Sequence, residues 1–215
     1  MKTTSLANQT FTDPRFEEDS RHGIEAHSGS CSPLQEAIRS LILAAGDDPD
    51  REGLKETPAR VERAYSEWFA GYSIDPRELL RKTFSETSEY EETVLLQGIP
   101  VVSTCEHHLA PIIGRAHVAY RPHRRVVGIS KLSRLVDAFA RRLQLQERLT
   151  QQIAATIQAE LQPWGVAVVI EASHACMSTR GVNQHGVTMK TQCWLGDFKL
   201  DTRLKAELLG SLSAA

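Results

Sequence analysis

"SKLSRLVDAFARRLQLQERLTQQIAATIQAEL" (residues 130–161) holds two helical periodicities in succession. In the first half Leu132, Leu135, Val136, Phe139 and Leu143 fall on one face, with Ser130 as the expected N-cap. In the second, Leu149, Ile153, Ile157 and Leu161 recur at four-residue steps. The rhythm changes on both sides. Upstream, "VVSTCEHHLAPIIGRAHVAYRP" (101–122) and "RRVVGI" (124–129) read as strands, with the turn "RPHRR" between them. Downstream, "GVAVVIEASHACM" (165–177) and "GVTMKTQCWLGDF" (186–198) read as a closing pair of strands, followed by a short helix near "DTRLKAELL". The order is ββααββ, with both helices sequential between two hairpins. It predicts an α+β fold, an antiparallel sheet with helices on one face.

Two further helices precede this block. "LQEAIRSLILAAG" has helical spacing and a glycine stop. "ETPARVERAYSEWFAGY" offers Thr57 as N-cap and Pro58 at the first helical position. Residues 31–90 are therefore expected to form an N-terminal helical region, and residues 91–215 the main domain. Residues 1–30 are polar, charged and without periodicity, as in a disordered or partner-ordered tail. They contain no continuous apolar stretch of the secretory kind. The longest apolar runs are far too short to span a bilayer, so no membrane association is expected. The 215 residues suffice for one good-sized core, and the hydrophobic and charged fractions, 41% and 24%, are ordinary for a globular protein. A formal net charge of −2 gives no basic field for nucleic acid. Four cysteines, Cys31, Cys105, Cys176 and Cys193, are too sparse for a disulfide scaffold. A reduced, cytoplasmic protein is expected.

The chemistry concentrates in "STCEHHLAPIIG" (103–114). Cys105 and His108 stand three apart, a spacing from which a thiolate and an imidazole share one metal across a turn; S and N donors suit Zn²⁺. No second C-x2-C or H-x3-H pair completes a structural zinc site. Far downstream, "SHAC" offers His174 and Cys176, which in a strand would point to the same face. Two cysteines and one histidine make three ligands and leave a fourth position for water, the arrangement of a catalytic zinc. Two histidines are then spare, His107 and His174, with ordinary pKa values near ~6.5 that suit proton transfer. One Cys/His pair alone would read as a chance neighbour of core residues; two such pairs, each ending a strand-like run, do not.

"STCEHH", "GISKLSRLV", "LQLQERLTQQIA" and "SHACMSTRG" together resemble the GTP cyclohydrolase I family, from about "ETPARV" to the C-terminus. The resemblance implies a tunnelling fold assembled into a toroidal homodecamer of two pentamers, with active sites at subunit interfaces. It implies hydrolytic opening of the guanine imidazole ring of GTP, release of formate and rearrangement to 7,8-dihydroneopterin triphosphate. By resemblance, Cys105, His108 and Cys176 are the zinc ligands, and His107 and His174 the catalytic histidines. Glu147 holds the guanine, with Gln146 beside it. Ser130, Lys131, Arg134 and Arg180 surround the ribose and triphosphate. Arg60 and Arg63 reach the phosphates from the N-terminal helix, where the family commonly has Lys at the second position. Basic residues at a helix start oppose the dipole, and a phosphate ligand supplies a reason for Lys131 and Arg134.

Three rival readings are weighed against this one. A zinc nucleobase deaminase also attacks a purine with activated water, but its H-x-E and P-C-x-x-C signature is missing. A non-catalytic zinc-stabilised scaffold, or another tunnelling-fold pterin or deazapurine enzyme, would share part of the pattern. Cys193 reads as a buried strand thiol, and His185 belongs to a loop without an assigned role.

Overall fold

Ser32 starts the described chain's first helix by accepting a hydrogen bond from Gln35 N at 3.2 Å, with Pro33 in the first helical position. The computed structural model describes residues 31–81, 83–84, 90, 92–123 and 125–213; the expected tail lies outside them. The chain divides into two compact units, 1–58 and 59–215. In the first, α1 (Pro33–Ala44) ends before Gly46, whose φ of +88° suits a residue without Cβ. The loop that follows is tied locally by the pairs Arg39–Asp50 at 2.9 Å and Arg51–Asp47 at 2.8 Å.

The second unit takes up α2 (Thr57–Trp68) from its third residue, then a 3-10 turn (Ala70–Ser73) and α3 (Pro76–Arg81). The main sheet has five strands: β2 (Val94–Cys105), β3 (Pro111–Arg121), β5 (Leu143–Gln144), β6 (Gly165–His174) and β7 (Met189–Gly196). Their order is β5-β2-β3-β6-β7, antiparallel throughout except for the short parallel pair β5–β2. Between β3 and β6 run α4 (Ile129–Ala140) and α5 (Gln146–Leu161), both against one face of the sheet. The ββααββ order and the antiparallel sheet of the expected fold are therefore present, but the first pair is β2 and β3, so the stretch 101–122 expected as one strand is two strands joined by the turn after Cys105.

Alternation explains the core. Val101 and Cys105 of β2, Ile112, Ala116, Val118 and Tyr120 of β3, and Val166, Val168 and Ile170 of β6 face the helices. Leu132, Leu135, Val136 and Phe139 meet them from α4, and Leu149, Ile153, Ile157 and Leu161 from α5. Each such side chain, fully buried, contributes roughly 1.5–3 kcal/mol. The opposite face carries a smaller cluster, in which Ala119 and Ala167 pack with Phe198 of α7 (Asp197–Leu200) and Leu208 of α8 (Thr202–Ser213). With both faces covered there, β6 reads as the unbroken run "VAVVI".

Several local expectations differ. "RRVVGI" contributes only β4 (Val126–Val127), which pairs with β1 (Thr83–Phe84) outside the main sheet. The helix after it starts earlier than expected: Gly128 is the cap and Ser130 lies inside the first turn, without a side-chain cap bond. Arg134 consequently sits one turn further in than the helix start. β2 also bulges between Leu96 and Ile99, where Gly98 has φ +70°.

Candidate metal and nucleotide site

Cys105 is the last residue of β2, and the chain reverses immediately after it. Cys105 N donates to Ala110 O at 2.8 Å and Leu109 N to Cys105 O at 2.9 Å, closing the turn that carries His107 and His108. Leu109 holds φ +53° in this turn, a left-handed conformation that costs a side-chain-bearing residue roughly 1–2 kcal/mol. Such strain persists where surrounding contacts impose it. Here the contacts come from the α4–α5 junction. Glu106 N donates to Gln144 O at 3.1 Å, and the Glu106 carboxylate pairs with Arg148. Arg148 also donates to Gln144 Oε1 at 3.2 Å and Leu143 O at 3.1 Å.

The second half of the site arrives on β6. His174 is its last residue, opposite Ile112 in the register. Cys176 does not continue that strand, as the spacing argument expected; it lies in the helical turn α6 (Ala175–Ser178). The turn brings its sulfur back toward β2. The ligand atoms of Cys105, His108 and Cys176 all lie within 4.8 Å of one another. Zinc bonds of about 2.3 Å to sulfur and 2.0–2.1 Å to nitrogen require a small inward adjustment at most. Burial, and next the neighbouring Cys105 sulfur, push the Cys176 thiol above its ordinary pKa. A cation between the two sulfurs would reverse that preference, so this donor set fits a thiophilic metal.

His107 and His108 are exposed, their rings 6.2 Å apart and nearly perpendicular. Burial lowers the His174 pKa below the usual imidazole value, with Glu147 opposing the shift. His174 Nε2 lies 2.8 Å from Gln146 Oε1. Gln146, expected beside the guanine, is only 1% exposed, with its amide engaged by the chain itself. Glu147, next along α5, is exposed in the first turn. Arg180 follows α6 in an exposed loop and acts electrostatically on Cys176. Ser130, Arg134, Arg60 and Arg63 are exposed and Lys131 half-buried. Among the described residues, no hydrogen bond or ion pair joins these five to the Cys/His group.

The family model described as GTP cyclohydrolase I matches residues 34–213. The chain belongs to the GTP cyclohydrolase I family. Curated relatives named GTP cyclohydrolase 1, from Brucella suis, Brucella abortus and Brucella melitensis, are each 56% identical over 163 residues, covering 76% of this chain and 76% of theirs. Among solved structures, the archaeosine synthase QueF-Like in the apo form is similar with a TM-score of 0.41 at 21% identity. That likeness covers 48% of this chain and 93% of that one, and it is too slight to support any argument. Membership in the GTP cyclohydrolase I family makes this chain an enzyme with GTP cyclohydrolase activity.

Sequence reasoning overlooked the polar support behind the site. Gln144, 2% exposed, donates to Phe139 O at 2.8 Å and Gln152 Oε1 at 3.0 Å, and with Arg148 it steadies the turn after Cys105. The available signal was the alternation of Gln144 and Gln146 with leucines in "LQLQ", which puts amides on the buried side of a short strand entering a helix.

Proposed function

We propose that this enzyme hydrolyses GTP at C8 of the guanine ring, releases formate and yields 7,8-dihydroneopterin triphosphate, using one zinc ion per chain. The observation that supports this most directly is the convergence of Cys105, His108 and Cys176 within 4.8 Å, with His174 at the end of the adjoining strand. Zinc held by Cys105, His108 and Cys176 would supply Lewis acidity and would lower the pKa of a water bound to it toward ~7. The chain's own groups do the rest. His174 takes up a proton at Nδ1 and delivers it near N7 as the ring opens, and His107 assists later proton transfers or ribose opening. Glu147 accepts N–H bonds from the guanine edge. Ser130, Lys131, Arg134 and Arg180 hold the ribose and triphosphate, with Arg60 and Arg63 reaching the phosphates from α2. In this reading residues 31–90 are a helical region, residues 91–215 the catalytic domain, and the enzyme works in the cytoplasm. No helix among the described residues is long and apolar enough to cross a membrane.

Incubation with GTP, oxidation and fluorescence detection of a pterin, with formate assayed alongside, tests the reaction. A zinc-stabilised scaffold would turn over no nucleotide. For the guanine contact, Glu147→Ala is expected to weaken GTP binding by about 1.5–3 kcal/mol, the range for a hydrogen bond to a charged group. Unchanged affinity in a calorimetric titration would remove that role.

The working unit is proposed to be a decamer of two pentameric rings with shared sites. β7 is an edge strand with eight residues and no second partner among the described residues. Among the described residues, β2 is paired on its outer side only at Thr104 and Cys105. Ring assembly would pair such edges between neighbours. Mixing a His174 variant with an Arg134 variant after reversible dissociation should restore partial activity. A fully active monomer in light scattering would end this part of the proposal.

A further inference from the structure

We propose that Gln146 is a positioning residue that fixes the ring orientation and tautomer of His174, and that its amide is not a guanine contact. The proposal rests on His174 being a proton-handling residue of the GTP reaction.

Gln146 opens α5 at a point where β6 and β7 run beneath it. Its Nε2 lies 3.1 Å from Ile170 O, 2.9 Å from Met189 O and 3.1 Å from Thr191 Oγ1. Main-chain carbonyls can only accept hydrogen bonds, so the amide nitrogen must face them. The threonines enforce the same choice. Thr150 Oγ1 donates its one hydrogen to Gln146 O at 2.7 Å. It must then accept from Thr191 Oγ1 at 2.6 Å, which leaves Thr191 only the acceptor role toward Gln146 Nε2. The amide oxygen is thus turned toward His174, 2.8 Å from Nε2. An oxygen acceptor there requires His174 Nε2 to carry hydrogen, and Nδ1 is left with the lone pair of the neutral ring.

The side chain has to be glutamine for this. A glutamate would set a carboxylate oxygen against two carbonyls, and a methionine would satisfy neither side. Two of the three acceptors are backbone atoms of adjacent strands, so the imidazole is referenced to the sheet itself. A ring released from that reference loses alignment with its substrate, and misplacement on the scale of 1 Å can cost about 10²-fold in rate.

The test uses zinc-loaded, full-length enzyme. Histidine-selective ¹⁵N solid-state NMR should show one neutral ring locked with its hydrogen on Nε2, identified by its loss in His174→Ala. In Gln146→Met the signal should broaden or split between tautomers, while kcat for GTP falls by about 10²-fold and KM and zinc content hold. A raised KM with kcat retained would make Gln146 a substrate contact and overturn the proposal, as would unchanged kinetics. Should Gln146→Met fail to fold, the unaltered enzyme still decides, because a His174 ring carrying its hydrogen on Nδ1 excludes the contact. Absence of GTP turnover by the unaltered enzyme would sink the functional reading, separately from the tautomer result.

Discussion

Cys176→Ser is expected to lose most of its metal and nearly all GTP turnover. The substitution changes volume little, and Cys176 is only partly buried, so packing gives no reason for a large effect. The chemistry does. A thiolate is a strong zinc ligand, whereas a serine hydroxyl stays protonated near neutral pH and binds the metal poorly. Only two donors, Cys105 and His108, would then remain from a three-residue set. Elemental analysis of the purified variant reads the outcome directly. Full metal content would show that Cys176 is the wrong ligand and that His174 or His107 must be reconsidered.

His174→Ala should behave in the opposite way toward metal: zinc stays, and ring opening falls by roughly 10²-fold or more. His174 stands outside the converging Cys105–His108–Cys176 group, and its Nε2 is turned to Gln146. Burial depresses its pKa and so favours the neutral imidazole, whose Nδ1 can take up a proton and pass it to a bound purine. Parallel measurement of zinc and of formate release separates the two roles. Loss of zinc together with the imidazole would move His174 into the ligand set.

Elements with a strong period were legible beforehand. The four-residue steps from Leu149 to Leu161 match the buried face of α5, because a helix against a sheet must present one continuous apolar stripe. Two-residue strands such as β4 and β5 have no period to detect, and they exist only because a neighbouring backbone offers a ladder. The fate of "SHAC" was illegible for a related reason. Nothing local marks the switch from extended to helical backbone after His174, yet that switch turns Cys176 toward Cys105. Gln146 was half legible: the alternation in "LQLQ" puts it on the buried side, but the partners of its amide follow only from where Ile170, Met189 and Thr191 come to lie. The expected cap at Ser130 failed because Gly128, already extended at φ −60° and ψ 134°, lets the helix begin two residues sooner.

The outer side of β7, unpaired among the described residues, bears on the life of the chain before the proposed assembly. A newly made protomer presents the backbone of Met189–Gly196 as a template for any extended peptide it meets, with little except Lys190 and Gln192 to discourage docking. Closure into the proposed ring would therefore compete with aggregation, and the balance would depend on how quickly protomers find one another. Weakly expressed or interface-damaged variants should accumulate in the insoluble fraction, drawn off by chaperones and proteases, instead of circulating as harmless inactive subunits.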